Sequence, residues 1–164
     1  FLMSYDMHGP WDTFADFNAP LYTPSGSTPH YQNSVNDAIH LYLRRGASAS
    51  KLVLGMPFYG YKYQGVSKEG NGLYSRFSSA SSLGYAQLVK GYIDKAGYSR
   101  FEHKETGVPY LYGNNTFISY DDPASIAAKV RLARQKGLAG VGAWSLPHDS
   151  GGDLLDSAYR ALQN

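Results

Sequence analysis

An acid, two tyrosines and a tryptophan stand at the ends of three short apolar runs. Tyr5 and Asp6 close the run 1–5, Tyr59 follows the run 52–58, and Trp144 and Ser145 close the run 138–146. A carboxylate accepts hydrogen bonds and a phenol both donates and accepts them. An indole offers a flat apolar face. Together they could hold a ligand with apolar faces and a hydroxyl rim, and stabilise charge that develops on it during reaction. None of the three runs alternates cleanly with polar residues, the pattern of strands in a parallel sheet covered on both faces. In a parallel βα architecture the ends of such strands share one rim, where active sites lie. Each residue alone has an ordinary explanation, Asp6 as a loop cap and Trp144 as core. Convergence from three distant runs favours a site.

Helices must position those runs. Val35, Ala38, Ile39 and Tyr42 fall at i, i+3, i+4 and i+7, with Ser34 as N-cap and Gly46 at the end. Ile126, Ala127, Val130 and Ala133 repeat the spacing, with Asp122 as cap, Pro123 at the first helical position and Gly137 just past the last turn. Leu155, Ala158, Tyr159 and Leu162 predict a final helix opened by Asp153. Strand and helix in alternation make a βα series. The second unit is interrupted, because more than ~60 residues separate Phe58 from the next helix, against ~2–6 in an ordinary βα loop. This stretch holds a helix candidate (Tyr85, Leu88, Val89, Tyr92) and β-like runs at 110–112 and 117–120. It reads as an inserted α+β subdomain over residues 59–115, flanked by 1–58 and 116–164. The serine-rich segment 78–82 reads as a turn.

Composition excludes several function classes. The chain has 164 residues and a net charge of +2, which gives no electrostatic case for nucleic acid or an anionic membrane. It has no cysteine, so no disulfide can form and redox chemistry does not identify a compartment. No apolar run approaches the ~18 residues of a membrane span. The opening residues lack a basic segment and are too short for a signal peptide. They read as the middle of a strand, which suggests an N-terminal portion upstream. The five His show no metal-ligand spacing and no cofactor fingerprint is present. Fifteen tyrosines suit a carbohydrate cleft, although on composition alone a tyrosine-rich core and surface is the better explanation.

Four motifs then carry a resemblance. Met3-Ser4-Tyr5-Asp6-Met7-His8-Gly9-Pro10-Trp11 resembles the sixth-strand motif of family-18 glycoside hydrolases, the chitinases. Leu54-Gly55-Met56-Pro57-Phe58-Tyr59-Gly60 resembles their seventh-strand motif. The segment from Gly137 to Ser145 resembles their eighth strand with its terminal Trp. Tyr120-Asp121-Asp122-Pro123 resembles the exit from their α+β insertion. Order and spacing hold over essentially the whole chain. The resemblance implies an α/β fold: a partial (β/α)8 TIM barrel, strands six to eight, with the insertion between strand seven and its helix.

It also implies chemistry. Family-18 enzymes cleave β-1,4-linked N-acetylglucosamine polymers with retention, and the substrate's own 2-acetamido oxygen is the nucleophile. A Glu protonates the leaving oxygen and then activates water. By position, Tyr5 would hydrogen-bond the acetamido carbonyl and Asp6 would bind sugar hydroxyl or acetamido groups. Trp144 would form the floor of the −1 subsite, Tyr59 and Tyr61 would line the cleft, and Trp11 would be a +1 platform. Met3 would pack beneath the site, or simply fill the core. The implied partners are chitin or a chito-oligosaccharide, in a secreted protein, with no cofactor.

Departures bear on the subsites. Tyr61 stands where many members have Arg, Gly142 where Met is common and would widen the −1 floor, and Pro147-His148-Asp149 replaces an acidic run. The family's Asp-x-x-Asp-x-Asp-x-Glu motif is missing from these residues and is expected upstream. Three βα units cannot close a barrel, so a segment or partner chain supplying strands one to five is expected, or else tight self-association. Two other readings stay open: a lectin that binds chito-oligosaccharides without cleaving them, and a hydrolase of peptidoglycan or N-glycans.

Overall fold

The computed structural model describes residues 1–26 and 33–163. In chain order the regular elements are α1 (Val35–Arg44), β1 (Val53–Pro57), β2 (Tyr59–Gln64), β3 (Ser79–Gly84), α2 (Tyr85–Gly91), β4 (Ser99–His103), β5 (Val108–Gly113), β6 (Thr116–Ser119), α3 (Pro123–Gln135), β7 (Gly140–Trp144) and α4 (Asp153–Gln163). The class is mixed α/β, with one parallel and one antiparallel sheet.

β1 and β7 pair in parallel, from Val53 opposite Gly140 to Pro57 opposite Trp144. On the far side of β1 the opening run 1–5 adds one bridge, Leu2 to Leu54, rather than the full strand its apolar character suggested. Ser4 explains the short pairing. Its amide turns back to the Leu2 carbonyl at 2.9 Å. Its hydroxyl, not its amide, reaches the Gly55 carbonyl at 2.8 Å. The ladder is capped by a side chain after one residue.

The helices cover one face of these strands. Met56 and Phe58 pack with Ile126 and Val130 of α3 and Leu154 and Ala158 of α4. Leu2 and Leu54 pack with Val35 and Ile39 of α1 and Leu132 of α3. The opposite face is bare. The Phe1 ring lies across Gly55 and Gly142, at distances that leave no room for a Cβ on either glycine. The space expected to open at Gly142 is therefore filled by Phe1. Met3, expected to pack beneath the site or fill the core, is 69 % exposed. No other side chain covers it, because β7 and the Leu2 segment have no further strand beside them among the described residues.

The helix caps fall where the sequence put them in two cases. Ser34 Oγ accepts from the Asp37 amide at the start of α1. Asp122 Oδ1 accepts from Ser125, with Pro123 opening α3 and Gly137 at φ +67° just past its end. In α4 the cap differs from expectation. Asp153 is only the first helical residue, and the Asp149 carboxylate takes the amides of Leu154 and Leu155 at 3.0 and 2.9 Å.

Between β1 and α3 the chain builds an antiparallel sheet in the order β3-β2-β6-β5-β4, with α2 following β3. Its member Thr116–Ser119 lies past residue 115. The segment 78–82, read as a turn, lies mostly in β3 and pairs with β2 from Ser79 opposite Gln64 to Gly84 opposite Tyr59. Serine has little strand preference of its own, but the tyrosine-rich β2 offers a complete ladder and the serine side chains sit at an open edge. Gly60 is needed where β2 meets β6, because a Cβ there would come 2.2 Å from the Ser119 carbonyl. A buried ion pair marks the seam to α3. Lys129, fully buried, reaches Asp121, whose other bond is from Ser125 Oγ at 2.7 Å. No helix among the described residues is long and apolar enough to cross a membrane.

Candidate active site

β2 decides how the tyrosines converge. Side chains alternate along a strand, so Tyr59, Tyr61 and Tyr63 share one face. That face packs with Tyr5, Phe17, Val108, Tyr110 and Phe117 in a buried aromatic cluster. Tyr59 and Tyr61 turn their hydroxyls to its upper edge, where both donate to Asp6 Oδ1. The Tyr61 bond is 2.7 Å long. The Tyr5 ring meets Tyr59 edge-on at 6.1 Å, and Tyr59 meets Tyr61 at 5.7 Å.

Asp6 itself is exposed and left-handed, at φ +59°. Aspartate is among the few side chains that tolerate this region. The conformation is tied down by Asn18, whose Oδ1 accepts from the Asp6 amide at 2.8 Å while its carbonyl accepts from Met7 at 2.9 Å. Asn18 also donates through Nδ2 to the Tyr59 carbonyl at 3.3 Å and through its amide to Ser119 Oγ at 2.8 Å. This buried asparagine therefore joins the loop carrying Asp6 to two strands of the antiparallel sheet. No sequence pattern marks it, since a single Asn in a loop normally signals a turn.

Electrostatics keep the phenols protonated. Burial pushes the Tyr59 hydroxyl well above its ordinary value, and the bond to Asp6 and the charge of Asp6 push it further. Tyr61 is raised by the same causes in the same order. Burial first, then the Asp6 charge, raises Tyr5. All three stay neutral beside one carboxylate, and Tyr59 and Tyr61 donate to it.

The two tryptophans stand on the rim. Trp11 is 61 % exposed and meets Tyr61 edge-on at 5.7 Å. Trp144, at the end of β7, is 59 % exposed, and its carbonyl accepts from the Phe58 amide at 2.8 Å. His148, noted in the sequence only as part of a departure from an acidic run, follows Trp144 by four residues, and its ring lies edge-on to Tyr59 at 6.0 Å. Of the candidate residues, Tyr5, Asp6, Trp11, Tyr59 and Tyr61 thus form one chain of contacts. Trp144 joins it through the backbone beside Tyr59, and Met3 stands apart on the bare face of the strands.

Such an arrangement presents a fixed hydrogen-bond acceptor, neutral phenol donors and two exposed indole faces at the C-terminal ends of parallel strands. Such groups could hold a ligand with apolar faces and a hydroxyl rim. The chain belongs to the family described as Glycosyl hydrolases family 18, whose profile matches residues 1–149. The family fold is the TIM barrel. Chitinase A1 of Niallia circulans is 39 % identical over 163 residues, covering 90 % of this chain and 23 % of its own length. Chitotriosidase-1 of Mus musculus is 34 % identical over 153 residues, covering 90 % and 33 %. A family-18 N-acetylglucosaminidase from Paenibacillus barengoltzii superposes with a TM-score of 0.92 at 34 % identity, covering 98 % of this chain and 47 % of that one. The chain thus spans less than half the length of these relatives.

Proposed function

We propose that this chain forms strands six to eight of a family-18 barrel, with residues 59–115 and the strand Thr116–Ser119 bonded to them as its α+β insertion. In this reading it is part of a secreted, chitinase-type hydrolase. The substrate is a β-1,4-linked N-acetylglucosamine polymer, cleaved with retention through the substrate's acetamido group. The observation that carries the reading is the Asp6 carboxylate held by Tyr59 and Tyr61 beside Tyr5, on a rim with two exposed tryptophans, in a chain of this family.

Roles follow from the geometry. Tyr5 donates to the acetamido carbonyl oxygen as it attacks the anomeric carbon, and its neutral hydroxyl stabilises the charge that develops. Asp6 offers its Oδ2 to sugar hydroxyl or acetamido groups, because Oδ1 already takes two phenols. Trp144 forms the apolar floor under the reacting sugar, and Trp11 a platform beyond it. The glutamic acid that protonates the leaving oxygen comes from strands outside these 164 residues. Those strands would also cover the bare face at Phe1 and Met3 and the apolar groove between β7 and α4, lined by Val141, Leu146, Leu155 and Tyr159.

The test uses the full-length protein. Tyr5→Phe and Asp6→Asn are each expected to lower kcat on chitotetraose by on the order of 10²-fold, the scale of one lost transition-state donor. Turnover within twofold of the parent in both variants would overturn the assignment. Binding of chitotetraose without any turnover in the parent would make the protein a lectin instead.

A further inference from the structure

His8 is used by none of the roles above, yet it lies two residues from Asp6 and three from Trp11. It is buried, with its Nδ1 3.1 Å from Asp12 Oδ2 and its Nε2 3.4 Å from Asp16 Oδ2. Both ring nitrogens thus face a carboxylate. Each carboxylate is also anchored to the loop backbone. Asp12 Oδ2 takes the Gly9 amide at 2.9 Å, and Asp16 Oδ1 takes the Phe17 amide at 2.7 Å. The ring therefore joins the turn at 9–12 to the segment at 16–17, the two halves of the loop that begins at Asp6 and ends at Asn18.

The loop so closed presents the exposed indole. Trp11 folds back over Gly9, where a Cβ would meet its ring at 2.4 Å, and its edge contact with Tyr61 touches the phenol that donates to Asp6. Opening either half of the loop would release Trp11 and loosen the Tyr61–Asp6 bond.

We propose that His8, bridging Asp12 and Asp16, is the positioning residue of this loop and sets how Trp11 and Asp6 meet a sugar. This rests on the carbohydrate reading for its ligand, but the clamp itself is a property of the loop. His8 touches no substrate, so its loss is read in binding rather than in the chemical step. In the full-length protein, His8→Gln is expected to raise KM for chitotetraose by about tenfold with kcat within about twofold, the pattern of lost ground-state positioning. Asp16→Asn, which removes one partner and leaves the ring, is expected to move KM the same way by a smaller factor. One reading needs no ligand. In the full-length protein, the part of the tryptophan fluorescence that Trp11→Phe removes is expected to be more readily quenched by acrylamide in His8→Gln and Asp16→Asn. Unchanged quenching and KM in both variants overturns the clamp. Failure of the unaltered protein to bind chitotetraose defeats the carbohydrate reading alone, and the quenching still decides the clamp.

Discussion

The antiparallel sheet and the parallel strands use the same residue types to opposite ends. In the antiparallel sheet the aromatic residues are enclosed. Tyr63 and Phe117 are fully buried, and Phe101 stacks on Tyr110 at 5.2 Å and 17°. Around the parallel strands Phe1, Met3 and Trp144 are all largely exposed. The reason is connectivity. Antiparallel neighbours can be joined by short turns, as β4 to β5 and β5 to β6 are, so one segment of about sixty residues supplies every strand of its sheet, and Tyr5, Ala15, Phe17 and Ala19 complete its core. Parallel strands need long crossovers and neighbours from elsewhere in the chain, and β7 has a partner on one side alone among the described residues. One region is closed within these residues. The other presents a rim whose exposed groups are available to a ligand or to further chain.

Three substitutions probe that contrast. The largest loss of stability is expected inside the antiparallel sheet. Phe117→Ala removes a fully buried ring and is expected to cost about 3–5 kcal/mol in urea unfolding. A cost under ~1 kcal/mol would mean that the aromatic core repacks and does not specify the sheet. An intermediate loss is expected at the helix that backs the parallel strands. Asp149→Ala removes the acceptor for the amides of Leu154 and Leu155 and is expected to cost about 1 kcal/mol, read as a lower Tm. If Asp153→Ala cost more, the cap assignment would be reversed. The smallest change in stability is expected at the rim. Trp144→Ala should stay within about 0.5 kcal/mol of the parent because the side chain is mostly in solvent. The same variant is expected to weaken chito-oligosaccharide binding about tenfold through lost stacking. Loss of stability with unaltered binding would place Trp144 in the core rather than in the cleft.

The elements legible in the sequence were those with local grammar. α1 and α3 announced themselves by spacing, by Ser34 and Asp122 at their starts and by Pro123, because each capping bond lies within a few residues of its partner. The apolar runs that became β1 and β7 were legible for a similar reason. The serine segment that became β3 was not, because its strand state comes from β2 and not from its own side chains. Nor was the short pairing of the opening run, which depends on the Ser4 hydroxyl meeting Gly55, fifty-one residues on.

The site divides the same way. The order and type of Tyr5, Asp6, Trp11, Tyr59, Tyr61 and Trp144 are written in the chain, and the motifs around most of them carried the resemblance to the family. That Tyr59 and Tyr61 both donate to one oxygen of Asp6 was decided by the tertiary structure, since it needs β2 to turn one face toward a loop more than fifty residues away. Asn18 and His8 gained their roles in the same step. A polar side chain in a loop has many partners available in an unfolded chain, and only the packed fold leaves it one set.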